Sequence, residues 1–254
     1  MTASWQLFFD ELARWRDAGR SVDFWWRDDD ATEPTAALER LVALSGDTAT
    51  PLALAVIPAD AKASLAGLLR PTVTVLQHGV AHRDGAGTGE KKSEFPASQS
   101  PDEALQRLRW GRQRLMQLLG PGVLPVLVPP WNRISAPGLV GRLSGAGYCG
   151  LSRFGARPVG VQPAGLVQIN THVDVIDWKG SRGFVGEDAA LGQAVRHLEA
   201  RRTGTAGSGE PTGWLTHHAV HDAATWAFLQ QLLAATAGVG DVVWRSAPQL
   251  FVPA

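Results

Sequence analysis

Three consecutive acids, Asp28, Asp29 and Asp30, stand directly behind the apolar, β-prone run Val22–Arg27. Adjacent carboxylates repel one another and resist burial, so the cluster needs either open water or a cation. Capping a following helix would occupy only one of them. Further along, Gln77-His78-Gly79-Val80-Ala81-His82 holds two histidines four residues apart. On a helical turn that spacing turns both imidazoles to one side and suits a single metal ion, although the pair alone also fits two unrelated histidines at a strand-to-helix turn. Two imidazoles and one carboxylate would form a facial set with open positions for water and substrate. A further carboxylate beside that set could take the proton of a water whose pKa the ion lowers toward about 7. The expected cofactor is a divalent metal, zinc by preference.

These residues become one site only if the fold brings them together. Apolar β-prone runs recur at Val22–Arg27, Leu52–Ile57, Thr72–Gln77, Val123–Val128, Tyr148–Leu151, Leu166–Asn170, Val173–Ile176, Gly213–Thr216 and Asp241–Trp244. Helical patterns separate several of them, from Pro34 to Gly46, after Ser100-Pro101-Asp102-Glu103 with its capping-box spacing, from Ser135 to Gly147 and from Asp222 to Gly238. This alternation predicts an α/β fold, a distorted (β/α) barrel of seven or eight mostly parallel strands, closed rather than open. Ahead of it, Trp5, Phe8, Phe9, Leu12 and Trp15 recur at helical spacing as an N-terminal amphipathic helix. The acids, His78 and His82, Trp131-Asn132-Arg133, and the cluster His217, His218 and His221 each follow a predicted strand, so a parallel barrel would gather them at one mouth.

The bulk properties narrow the function. With 254 residues, one domain spanning 1–254 is expected. Lys+Arg and Asp+Glu both total 24, so no net field recruits nucleic acid or an anionic membrane. The single cysteine, Cys149, allows no internal disulfide, and no apolar run approaches a membrane span. Asp10 and Glu11 interrupt the first apolar segment, against a secretory signal, so a cytoplasmic location is expected. Arg83–Lys92 and Thr203–Gly213 are Gly-rich loops, the first placed like a lid beside His82 and continuing to Glu94 as a hydrated segment. Of the ten tryptophans, Trp5, Trp15, Trp110 and Trp226 fall on helical patterns as packing residues, whereas Trp131, Trp178 and Trp26 lie near the mouth. His197 reads as a solvated helix residue, and His221-Asp222 as the opening of the last helix.

Between residues 22 and about 222 the chain resembles the polysaccharide deacetylases, the NodB-like carbohydrate esterases of family 4, as a divergent cytoplasmic branch. Arg27-Asp28-Asp29-Asp30-Ala31 is similar to that family's Thr-Phe-Asp-Asp-Gly motif, which implies Asp29 as base and Asp30 as metal ligand; a register one residue earlier would give these roles to Asp28 and Asp29. His78-Gly79-Val80-Ala81-His82 matches the His-Ser/Thr-x-x-His motif, with Gly79 in place of the hydroxyl residue that braces the loop. Val128-Pro129-Pro130-Trp131 echoes Arg-x-Pro-Tyr, implying that the Trp131 amide helps hold an oxyanion. The motif arginine is absent, and Arg133 is the candidate substitute. Asp174-Val175-Ile176-Asp177-Trp178 resembles a further motif, and Leu215-Thr216-His217 resembles Leu-x-His, implying His217 as general acid oriented by Asp174 or Asp177. Asn132, Arg133, His172 and Trp178 are candidate substrate contacts.

The implied activity is a metal-dependent hydrolase removing an acyl group, N-acetyl first, from a sugar, or from a small amide. The alternative is a non-catalytic barrel that binds metal or carbohydrate, which the absent arginine favours. An acylated sugar is the expected partner; the oligomeric state is not legible.

Overall fold

The computed structural model describes residues 2–157, 160, 163, 165–207 and 209–252, so residue 208 of the second Gly-rich stretch lies outside the described residues. Helix α1 (Ala3–Asp17) buries Trp5, Phe8, Leu12 and Trp15. It is followed by β1 (Val22–Ala31), α2 (Ala36–Asp47), β2 (Leu52–Val56), β3 (Val73–His78) and α3 (Pro101–Leu119). Next come β4 (Val126–Val128), α4 (Leu139–Arg142), β5 (Gly150–Leu151), β6 (Val167–Gln168) and β7 (Val173–Asp174). The order ends with α5 (Glu187–Thr203), β8 (Thr212–Thr216), α6 (Ala223–Thr236), β9 (Val242–Trp244) and α7 (Ala247–Phe251). Helix starts follow capping chemistry: Thr35, Ser100 and Asp222 accept the amides of Leu38, Glu103 and Thr225. The expected helix 135–147 is instead α4 and a short 3-10 turn at Ser144–Ala146, in a stretch where Gly138, Gly141, Gly145 and Gly147 lower helix stability.

The strands run β6-β5-β4-β3-β2-β1-β8-β7, with every neighbouring pair parallel and β9 pairing the start of β1. The result is a distorted (β/α) barrel. Its β6 and β7 are successive parts of one extended stretch that bonds β5 and its continuation through Val167, Ile169 and Thr171 and then β8 through His172, Val173 and Val175, so that stretch links the two ends of the strand order. No helix among the described residues is long and apolar enough to cross a membrane.

Alternation along the strands divides the core. Trp25, Ala53, Ala55, Leu76, Val126 and Val128 point into the barrel, whose base Ala247 and Phe251 of α7 plug. Phe24, Trp26, Leu54, Val56 and Trp214 face outward and pack with α1, α2, α5 and α6. Trp26 is therefore a core residue and not a mouth residue, while Trp110, expected to pack, is exposed. The interior is close enough that a Cβ on Gly213 would meet Trp25 Nε1 and lie 2.7 Å from the Asn170 carbonyl.

At the foot of the barrel, where β7 and β8 begin, His172 and His197 stack face to face with ring centroids 3.4 Å apart. His197 is thus buried, contrary to its solvated reading, with Nδ1 3.0 Å from Thr212 Oγ1. Burial pushes its imidazole down to about 2, and that of His221 down to about 4. Each is neutral when folded but binds a proton below about 6.5 when unfolded, so stability is present above that pH and is lost as pH falls.

Two outcomes follow. Gly213→Ala is expected to lower stability by about 1–3 kcal/mol in urea denaturation, through overpacking. Stability should fall from about pH 6.5 toward 4, and His197→Phe, which keeps a ring but cannot titrate, should reduce that slope by about 1.4 kcal/mol per pH unit; an unchanged slope would contradict the assignment.

Candidate active site

The acids do not follow β1 but form its last turnings, and its geometry sends each to a different task. Side chains alternate across a strand, so Trp26 and Asp28 share one face while Arg27 and Asp29 share the other. Asp28 is fully buried and accepts hydrogen bonds from Thr216 Oγ1 (2.7 Å) and the His218 amide (2.9 Å), with His218 Nδ1 2.5 Å away. Burial alone would raise its carboxyl, but His218 outweighs burial and holds it below the usual range. Asp28 therefore ties β1 to the segment after β8, and the earlier register that would give it a site role does not fit.

On the barrel side, the Arg27 guanidinium grips Asp29 bidentately, Nε to Oδ1 at 2.8 Å and Nη2 to Oδ2 at 2.9 Å. Arg27 also donates to Ser152 Oγ (2.6 Å) and Asn132 Oδ1 (2.7 Å), so a wholly buried cation is satisfied on several sides. Arg133 is not the substitute for the absent motif arginine: its Nη1 donates to the Lys92 carbonyl at 2.5 Å, while Arg27 occupies the Asp29 carboxylate.

Asp30 breaks the alternation. Its φ of +73° is left-handed, and the pairing of β1 with β2 shifts register between Asp28 and Ala31. Such a bulge re-aims a side chain. Here it brings Asp30 Oδ1 to 3.0 Å from His78 Nε2 and 3.3 Å from His82 Nε2.

The two histidines meet by a different route from the helical turn that their spacing suggests. His78 is the last residue of β3, and Gly79 and His82 both adopt left-handed φ (52° each) in a loop. A Cβ at Gly79 would collide with the Glu94 carboxylate and lie 2.5 Å from Pro130 Cδ, which excludes the hydroxyl residue of the related motif. Glu94 does the bracing: buried, and not hydrated as its loop suggested, it accepts the Val80 and Ala81 amides at 2.9 and 2.8 Å and pairs with Arg107 at 2.9 Å.

The donor set fits a divalent cation. Nδ1 of His78 lies 3.0 Å from the Val128 carbonyl, to which it must donate, leaving Nε2 aimed at Asp30. Positive charge must lie between that nitrogen and the carboxylate, either a proton, which Asp29 and Asp30 favour on His78 against its burial, or a divalent cation in its place. The ligand atoms of Asp30, His78 and His82 lie within 4.8 Å of one another. Burial would raise the Asp30 carboxyl, but His78 and its neighbours hold it well below the usual range.

His172, His197 and Glu210 form a second such group among the described residues. Its rings are only 13° from parallel at 3.4 Å, so their in-plane lone pairs run alongside each other and do not converge, and Arg157 already pairs with Glu210 at 3.3 Å. His172 is accordingly a buried packing residue at the barrel foot, accepting the Gly213 amide, and not a substrate contact at the mouth.

Asp29, Asp30, His78, His82, Trp131 and His217 line one cavity of about 790 Å³, together with Asn132, Arg133, Asp174 and Trp178. Trp131 and Asn132, both at left-handed φ, follow β4 in a tight 3-10 turn, and the Trp131 ring packs on His82 at 4.4 Å. His217 follows β8, its ring edge-on to Trp178 at 4.7 Å. The expected orientation of His217 by a carboxylate is not found: its Nδ1 has no hydrogen-bond partner among the described residues. Asp174 instead accepts from the Ile176 amide (3.0 Å) and Trp178 Nε1 (2.9 Å), and Asp177 caps the turn at Gly180 and Ser181. Asp174 thus reaches His217 through Trp178. Burial pushes its carboxyl above the usual range.

No family model and no curated protein matches the chain. Solved structures do match in fold. A family 4 carbohydrate esterase from Streptomyces lividans in complex with acetate superposes at TM-score 0.54 and 17% identity, over 91% of this chain and 95% of that one. A polysaccharide deacetylase from Bacillus cereus gives 0.54 and 14%, over 89% and 92%. A family 4 acetyl xylan esterase from Clostridium thermocellum in complex with a cobalt ion gives 0.51 and 13%, over 90% of each.

Removing one member of a buried ion pair strands the other. Arg27→Met is expected to cost about 3–5 kcal/mol in urea denaturation, and Arg27→Met with Asp29→Leu distinctly less. A double-variant loss equal to the sum of the Arg27→Met and Asp29→Leu single losses would show that the pair is not coupled.

Proposed function

We propose that the chain is a metal-dependent hydrolase that removes an acyl group, N-acetyl by preference, from an amino sugar. The observation that carries this reading is the convergence of Asp30, His78 and His82 beside the Arg27-clamped Asp29 in one cavity. Asp30, His78 and His82 would hold the ion, zinc being the cation that best suits two imidazoles and a carboxylate. When bound, it supplies a Lewis acid that polarises the acyl carbonyl and acidifies water.

The chain's own residues perform the rest. Asp29, its orientation fixed by Arg27, accepts the proton of the attacking water as the water oxygen bonds to the acyl carbon. Negative charge then gathers on the carbonyl oxygen, where the Trp131 amide donates; one such donor is typically worth about 3 kcal/mol. As the C–N bond breaks, His217 gives a proton to the departing nitrogen, releasing the free amine and a carboxylic acid. Trp178, held by Asp174, walls His217 on one side. Fold likeness to acetate-bound and cobalt-bound family 4 esterases supports this reading. The non-catalytic alternative rested on the missing arginine, and Arg27 supports its replacement.

Purified protein incubated with N-acetylated amino sugars is expected to release acetate, to stop on chelation and to recover when zinc is restored. Asp29→Asn should keep the ion yet lose about 10²–10⁴-fold in kcat. Bound metal with no acetate release from any acylated sugar or small amide would overturn the reading.

A further inference from the structure

The whole chain has no net charge, but the cavity separates its charges by depth. Its floor holds Asp29, already paired with Arg27, and Asp30 beside the two histidines. Lys91, Lys92, Arg133 and Arg182 also line the cavity, against two further acids, Glu90 and the Asp174 that accepts from Trp178. None of those four cations forms an ion pair among the described residues.

The rim is also held in place. Asp84 accepts the Ala86 and Ser93 amides, Gly85 bonds Ser93, and Arg133 fixes the Lys92 carbonyl, so the stretch that looked like a free lid is stapled at its end. Lys92 Nζ lies 5.9 Å from the centre of the Trp131 ring, and the Arg182 guanidinium 5.6 Å from that of Trp178. Those two indoles stand on opposite sides of β1, one packed on His82 and the other on His217. Each flank therefore offers an aromatic face suited to a sugar ring and, next to it, a cation that forms no ion pair among the described residues.

We propose that the substrate is an anionic acylated sugar, whose acyl group enters toward Asp29 and Asp30 while a phosphate or carboxylate on the same molecule is held at the Lys91, Lys92 and Arg182 rim. This rests on the hydrolase reading for the fate of the acyl group, but not for binding. A fixed anion on the substrate would meet unpaired charge-assisted donors without displacing any acid already seated there.

The test compares zinc-loaded wild type with Lys91→Gln/Lys92→Gln and with Arg182→Gln, by calorimetry and acetate release. The probes are N-acetylglucosamine, N-acetylglucosamine 6-phosphate and N-acetylmuramic acid, at low and high salt. At least one anionic sugar should bind wild type about tenfold or more tighter than the neutral one, with added salt and either charge variant eroding the difference. The phosphate and the carboxylate arms distinguish which anion is preferred. Equal binding of all three sugars overturns the inference. So does a preference that survives in both variants, which would place the anion on the metal. Preferential binding without acetate release would leave the inference standing and the hydrolase reading overturned.

Discussion

Everything at the barrel mouth depends on one left-handed residue at the end of β1. Strand alternation alone would put Asp30 on the outward face with Asp28, leaving Asp29 without a neighbouring ligand. The positive φ at Asp30 and the register shift against β2 turn its carboxylate onto His78 and His82 instead. A non-glycine residue there stores strain of about 1–3 kcal/mol, which the surrounding pairings must offset. The triple acid thus resolves into three environments: Asp28 fastened outward to His218, Asp29 clamped inward by Arg27, and Asp30 open to the cavity and facing two imidazoles.

Two buried charges make that arrangement rigid. Arg27 holds Asp29 while reaching Ser152 after β5 and Asn132 after β4, so the orientation of one carboxylate is tied to two distant loops. Glu94 does the same for the histidine loop, bridging its amides to Arg107 on α3. Such pairs add little net stability but make misplacement costly. Their value is positional: neither the nitrogen nor the carboxylate partners can move without stranding a charge in the core.

Much of this was legible in the sequence, because it follows from patterns of short range. Apolar runs and capping residues located most strands and helices, and the order of polar residues after strands identified the mouth. What escaped detection depends on geometry that residue types do not encode. Arg27 was within reach of inference, since i and i+2 on a strand share a face, yet a search confined to the Val128–Trp131 segment looks past it. Glu94 was hidden because a charged residue in a Gly-rich, hydrophilic stretch reads as solvated. His172 and His197 pair across elements remote in sequence, and no local pattern announces a stacked, neutral couple.

The most direct check is anomalous diffraction at the zinc edge from crystals of metal-loaded protein. One peak per chain within coordination distance, about 2 Å, of Asp30, His78 and His82 is the result this account requires. A peak among His172, His197 and Glu210 instead, or none at the barrel mouth, would contradict it.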